Sequence, residues 1–412
     1  MSLTRTGTEG LLQRLRVAAK AIAHDVAFME VCGTHTTSAF RCGLPSVMPP
    51  NVRLISGPGC PVCVTSQGDI DRLIDLGSRR DVILCTYGDM LRVPGRKGNL
   101  ENARVHGSRI EVVYSSMDAV KLARTQPDRE VVFAAVGFET TAPATAAAIC
   151  EAQRLNVNNF SVLASHKRII PAMRALLTDG EIPGIKGFLC PGHVSVIIGS
   201  EVYQSIVDEF GVSCVVGGFE PRQLISALVC LCELVANNKT ALVNQYPEAV
   251  HAKGNRWALA LLDQIFEPGD ARWRGMGTIP DSGLVLRSDY QRFDAALRFH
   301  LPQPQEREPA GCICGKVISG AALPAQCKLF ARACTPISPI GPCMVSSEGT
   351  CSAWFKYGQS PRMRAAYRQI IDCSAYRQAA NIATGKKQRL NNITVNGQSE
   401  LAAGNNAGVQ KL

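Results

Sequence analysis

The chain has 412 residues, 46% apolar and 19% charged, a globular composition too long for one ordinary core and suited to two or three domains. No run of 18 apolar residues is present, which excludes an ordinary transmembrane helix, and the basic, amphipathic start (MSLTRTGTEGLLQRLRVAAKAIA) lacks the apolar stretch and cleavage site of a signal peptide. The formal charge of +10 does not imply nucleic acid, because residues after Ala375 hold an excess of four positive charges and the rest is spread without a basic stripe or interleaved aromatics. The expected location is the cytoplasm, with no membrane and no nucleic acid as partner.

The first 25 residues read as a surface helix, expected to pack on the cysteine-rich region near the other end. From Val26 the chain repeats one pattern: a short β-branched run ends in Gly, Pro or small polar residues, and a segment of helical period follows. Strands are predicted at Val26–Val31, Val52–Ser56, Val82–Cys85, Ile110–Tyr114, Val131–Val136, Phe160–Ala164, Gly187–Leu189 and Val212–Val216. Helical segments are predicted at Ile70–Leu76, Ala119–Ala123, Ala144–Leu155, Ile170–Leu177 and Leu224–Val235. Apolar strands alternating with helices imply parallel sheets covered on both faces. The fold class is therefore α/β, with two such units expected at residues 26–128 and 129–240. From about Tyr246 to Leu301 the pattern is helical and irregular, Pro302–Pro309 reads as a linker, and a cysteine-rich region completes a third unit over residues 241–374. Residues 375–412 have no apolar periodicity and read as a disordered tail.

Unusual sequences fall at the carboxyl ends of the predicted strands, where open α/β sheets bind ligands. The first is EVCGTHT, in which Cys32 and His35 form a pair able to activate a thiolate or face a metal; the bland alternative is a buried Cys at a strand end beside a capping Thr. The second is GPGCPVC: Cys60 and Cys63 at a helix start suit a reversible disulfide, since the helix N-terminus stabilises thiolate. Two zinc ligands would fit the same spacing, but no partner Cys-x-x-Cys lies in the N-terminal half. A third group comprises GFETTAP after Val136, Ser165-His166-Lys167, and PGHVS after Cys190. Together these would line one rim with Glu, His, Lys and hydroxyls, and Thr140, Thr141 and Ser195 also suit helix caps or turns.

Seventeen cysteines, an odd count without a leader, argue against a secreted disulfide framework. Cys85, Cys150, Cys214, Cys230 and Cys232 lie in apolar runs and read as packing. Six more crowd the 41 residues from Gly311 to Cys351, separated by Pro and Gly. The choice Cys312-x14-Cys327-x6-Cys334-x16-Cys351 offers four thiolates on turns, as a [4Fe–4S] cluster requires; a four-thiolate zinc is the alternative. Cys314 and Cys343 are then surplus, and spacing does not decide which four bind.

Taken in order, EVCGTHT, GPGCPVC, GFETT, PGHVS and GPCMVSSEGTC resemble the HypD proteins, which mature [NiFe]-hydrogenases, over residues 10 to 375. The resemblance implies two Rossmann-like α/β domains with parallel sheets plus a smaller, mostly helical iron–sulfur domain. It implies a scaffold that assembles the Fe(CN)2CO group in complex with a HypC-type chaperone and accepts cyanide from a HypE-type donor. Cys32 would bind the iron with His35 close by, Cys60 and Cys63 would be the redox dithiol, and Glu348 beside Cys351 would also serve. The C-terminal cysteines, Cys312, Cys327, Cys334 and Cys351 on the spacing above, would hold the [4Fe–4S] cluster. Two rivals remain at this stage. One is a thiol–disulfide oxidoreductase of the ferredoxin–thioredoxin reductase type, with cluster and dithiol but no iron cargo; the other is a zinc-stabilised binding module.

Overall fold

The computed structural model describes residues 2–178, 184–304 and 308–358. Nine parallel strands form two sheets. Strands β1 (Val26–Glu30), β2 (Val52–Ser56), β7 (Ile185–Pro191), β8 (Ser213–Gly217) and β9 (Leu242–Asn244) make a five-stranded sheet in the order β2-β1-β7-β8-β9. Strands β3 (Val82–Thr86), β4 (Arg109–Val112), β5 (Glu130–Gly137) and β6 (Phe160–His166) make a four-stranded sheet in the order β4-β3-β5-β6. All eight predicted strands are present within a residue or two at most ends. Their buried, β-branched composition is what a sheet covered on both faces demands. The three-residue β9, half-buried, is too short to be read from pattern.

The division expected between residues 128 and 129 does not follow the sheets. β5 pairs with β3, so the expected boundary cuts through the four-stranded sheet. The chain leaves the five-stranded sheet after β2, completes the four-stranded one, and returns at β7. Strand pattern reports which segments are extended; it carries no record of which sheet they join.

Three apolar cores follow. One faces the outer side of the five-stranded sheet, where the first helix, Ser2–Lys20, buries Leu15, Ala18 and Ala19 against Leu224 and Leu228 of helix Pro221–Ala236. The N-terminal helix therefore packs on this sheet layer rather than on the cysteine-rich region, because its apolar stripe matches that of Pro221–Ala236. A second core covers the outer face of the four-stranded sheet. The third, largest core lies between the sheets and includes Met29 and Phe188 from one, Val132 and Ala134 from the other, and Cys60, Val62 and Cys63.

Residues 246–301 depart from the helical reading. Helix Arg256–Ile265 is present, but β10 (Phe266–Trp273) and β11 (Gly277–Leu286) then form an antiparallel ribbon. Pro268, Gly269, Pro280 and Gly283 interrupt its alternation, and a register shift between Gly269 and Ala271 disturbs it further, so a period-2 signal never develops. Residues 308–358 carry three short helices, Cys314–Ile318, Pro342–Val345 and Thr350–Tyr357, joined by turns. Their apolar side chains join the core between the sheets or a small cluster of Leu323, Ala353 and Trp354 around Phe40. The segment is thus docked on the α/β body. No described helix is long and apolar enough to cross a membrane. The expectations for residues 359–412 lie outside the described residues.

Candidate metal centre and dithiol

In the five-stranded sheet, β1 connects leftward to β2 while β7 connects rightward to β8, so the strand order reverses between β1 and β7. The carboxyl ends of those two strands frame the crevice where such sheets bind ligands. β1 leads into Cys32 and helix Gly33–Arg41, and β7 leads into helix Gly192–Ile198 with His193. The Cys32 sulfur lies 3.7 Å from His193 Nε2. His193 thus stands beside the thiol. Sequence reading singled out its motif but gave it no role, since nothing local reveals that β7 pairs with β1.

Glycines let the neighbouring segments close on Cys32. A Cβ on Gly59 would fall 2.0 Å from the Cys32 nitrogen, and one on Gly33 would fall 2.5 Å from Glu348 Cβ. Only a glycine fits either contact. The same residues that look like turn punctuation in EVCGTHT and GPGCPVC thus bring Cys32, the Cys60 loop and Glu348 together. Thr34 Oγ1 donates to Glu348 Oε1 at 2.5 Å, and Thr37 Oγ1 donates to the Ser347 carbonyl at 2.9 Å. On the other side Asp89 Oδ2 accepts from Ser346 Oγ at 3.2 Å and from the Ser347 N–H at 3.3 Å.

The electrostatics favour a neutral ground state. Burial pushes the Cys32 thiol well above its usual range, and the negative charge of Glu348 adds to this; the N–H groups of His35 and Thr34 oppose it. Burial also lowers His193 and pushes Glu348 up. A thiol so placed ionises when a cation binds it, as coordinating thiols do. Glu30 is buried, accepts from the Cys32 N–H at 3.0 Å and from Thr36 Oγ1, and is pushed up to about 8 by desolvation. Sequence reading assigned it nothing.

His35 reaches the Cys32 thiol through its backbone N–H, while its ring is held by the end of β8. It is wholly buried, and its Nε2 lies 3.2 Å and 3.1 Å from the carbonyls of Gly217 and Gly218. Burial lowers it to about 3, so the ring is neutral and Nε2–H is the donor. Phe219 packs against both His35 and His193, each ring centroid 4.9 Å away. His35 therefore ties the Cys32 helix to the end of β8 and, through Phe219, positions His193.

Cys60 and Cys63 form a disulfide with Cα atoms 5.2 Å apart. Cys60 precedes helix Pro61–Val64, and its sulfur accepts from the Cys63 N–H at 3.2 Å. Both are buried in the core between the sheets.

All six cysteines from Cys312 to Cys351 line one cavity, with Leu329, Phe330 and Met344. Thiol contacts run from Cys312 to Cys314, from Cys314 to Cys343 and from Cys343 to Cys351. The Cys334 sulfur accepts from the Ile340 N–H at 3.3 Å. Among the described residues no group of three or more ligating side chains stands at metal-binding geometry. The sulfurs pack on one another instead. The donor set nonetheless fits an iron–sulfur cluster: contact with Cys314 and burial push the Cys312 thiol up, a crowding that cluster iron would relieve by taking the thiols as thiolates. The cavity includes Cys314 and Cys343, so neither is surplus in position.

The third motif group divides between the two sheets. PGHVS follows β7, whereas GFETT and Ser165-His166-Lys167 end β5 and β6, so they form two rims and not one. At the second rim Glu139 Oε1 accepts from the Ile169 N–H at 2.9 Å and His166 Nε2 lies 2.9 Å from Thr145 Oγ1. Lys167 Nζ lies 3.4 Å from Ser165 Oγ and 4.0 Å from Asp69. Thr141 and Ser195 bond back to the carbonyls of Phe138 and Pro191 and cap nothing with their side chains.

A family model described as "HypD: Hydrogenase formation hypA family" matches residues 7–358. The chain is 44% identical over 362 residues to the hydrogenase maturation factor HypD of Azotobacter vinelandii, covering 86% of this chain and 96% of that relative. It is 42% identical over 354 residues to the HypD factor of Escherichia coli (strain K12), covering 85% and 95%. It is 44% identical over 339 residues to the HypD2 factor of Bradyrhizobium diazoefficiens, covering 81% and 89%.

Proposed function

This chain belongs to the HypD family of hydrogenase maturation factors, and from that premise we propose that it is the redox-active scaffold on which the Fe(CN)2CO group of [NiFe]-hydrogenase is assembled. The observation that carries the reading is the meeting of four motif segments at Cys32: the Gly59 loop against its nitrogen, His193 near its sulfur, and Glu348 against Gly33. Cys32 binds the cargo iron together with a cysteine of a HypC-type chaperone, since soft thiolate suits iron bearing strong-field ligands. Neutral His193 accepts the thiol proton as the sulfur ionises. Glu348 holds Thr34 and lies against the first turn of the Cys32 helix.

Cyanide arrives as a thiocyanate on a HypE-type donor. Releasing it breaks the S–C bond, takes two electrons, and leaves a thiolate and a cyanide ion. Cys60 and Cys63 in the dithiol form supply both electrons, close to the disulfide and release two protons, which the departing thiolate and cyanide can take up. Cys312, Cys327, Cys334 and Cys351 would hold a [4Fe–4S] cluster, which would supply one-electron reducing capacity there. Helices Cys314–Ile318 and Pro342–Val345 both pack on helix Pro61–Val64, so the cysteine-rich segment adjoins the dithiol.

The test is infrared spectroscopy of the anaerobic complex purified with its HypC- and HypE-type partners, together with iron and sulfide analysis. Bands of metal-bound CO and cyanide are expected. A brown protein without those bands overturns the scaffold and leaves a thiol–disulfide oxidoreductase; a colourless zinc protein overturns both.

A further inference from the structure

Arg274 lies in the turn between β10 and β11, is 0% exposed, and has no counterpart in the chemistry above. Its N–H donates to the Val64 carbonyl at 2.9 Å, its Nε to the Thr65 carbonyl at 3.1 Å, and one terminal nitrogen to Gln67 Oε1 at 3.1 Å. All three acceptors lie where the chain leaves the helix that carries Cys63. The other terminal nitrogen is buried and has no hydrogen-bond partner among the described residues. Nor does any ion pair among the described residues involve Arg274. A buried guanidinium bonded only to neutral acceptors is costly, and a negative charge nearby would offset that cost.

The turn reaches the cysteine-rich segment too. Gly275 adopts φ +75°, and a Cβ there would fall 2.2 Å from Gly315 Cα, next to Cys314. Arg274 thus spans the two thiol regions, bonded to one and adjoining the other.

We propose that Arg274 is the built-in countercharge for electrons arriving at Cys60 and Cys63, a positioning residue that favours the reduced pair. Reduction breaks the S–S bond and takes up two electrons and one proton, leaving one thiol and one thiolate. The fixed cation lowers the cost of that thiolate in a buried, low-dielectric core. The two electrons come from a dithiol reductant, dithiothreitol in the test. The inference rests on the reading of Cys60 and Cys63 as redox-active.

The experiment equilibrates full-length wild type, R274K and R274Q anaerobically in dithiothreitol redox buffers, then reads the Cys60–Cys63 state by alkylation and peptide mass. R274Q is expected to move the equilibrium about tenfold toward the disulfide, a potential lower by about 30 mV. R274K retains the charge and is expected to keep roughly the wild-type equilibrium. A merely structural role would lower the melting temperature of both variants without moving the equilibrium of either. Because R274Q risks unfolding, Q67E provides a second arm: it pairs the guanidinium with a carboxylate and is expected to shift the equilibrium in the same direction. Wild-type behaviour in folded Q67E or R274Q overturns the proposal. A wild-type pair that never equilibrates with the buffer overturns the redox reading as well. Missing iron–CO bands, by contrast, would sink the scaffold alone.

Discussion

The two parallel sheets obey the same topological rule and put it to different use. In the five-stranded sheet the strands flanking the reversal deliver Cys32 and His193, and glycines hold neighbouring segments close to the thiol. In the four-stranded sheet the reversal lies between β3 and β5, which deliver Asp89 and Glu139. There the polar groups are bound into the structure: Asp89 docks Ser346 and Ser347, Glu139 caps Ile169, and Lys167 faces Asp69 on the helix after the dithiol. One rim presents chemistry and the other braces it. A switch point marks where a ligand fits, and the side chains decide whether one is taken.

That contrast is open to attack, first at the thiol. Cys32→Ala should lower hydrogenase maturation by at least about two orders of magnitude while iron and sulfide content stay at wild-type levels. Normal hydrogenase activity in a strain carrying only this variant would break the comparison outright. Gly59→Ala sets a methyl group against the Cys32 backbone and should cost about 2–4 kcal/mol by urea unfolding, with maturation impaired. An unshifted midpoint would show that the loop has room to move.

The bracing rim should answer to pH instead of to maturation. Burial raises Glu139 from its ordinary 4.5 to about 7, so the folded chain holds this proton more tightly than the unfolded chain. Its stabilising contribution is complete below about pH 4.5 and is lost as pH rises through 7, up to about 3 kcal/mol. Glu139→Gln keeps the acceptor for Ile169 and should lose less stability than wild type between pH 5 and 8. Identical pH profiles would sharpen nothing and refute the buried-acid assignment. Smallest of all, removing the residues after Ala375, which lie beyond the family match, should leave maturation at about the wild-type level.

Much of this arrangement was legible in sequence because the signals are local. Apolar β-branched runs ending in glycine mark strands, and the residues just beyond them mark the rims, which singles out Cys32, Cys60 and Cys63 as candidates; the iron-binding role of Cys32 comes only from the family resemblance. What was missed depends on pairing. His193 gains its place only because Ala27 pairs with Ile185, and Arg274 gains its place only because the β10–β11 turn bonds to Val64. The β10–β11 ribbon itself escaped because its glycines and prolines blur the alternation a strand should show. His35 shows the same dependence: it follows Cys32 closely in sequence, but the partners of its ring, the Gly217 and Gly218 carbonyls, come from the end of β8.

The interleaved order of the strands has a consequence for biosynthesis. The four-stranded sheet is built from one continuous stretch, β3 to β6, and its contacts are comparatively local. The pairing of β1 with β7 spans that whole stretch, and contacts of such separation are slow to form. During synthesis Cys32 therefore emerges early but waits, without His193 or Glu348, until nearly the whole described chain has left the ribosome. Metal captured by that thiol before then would find an unfinished pocket, so cargo loading is expected to be strictly post-translational.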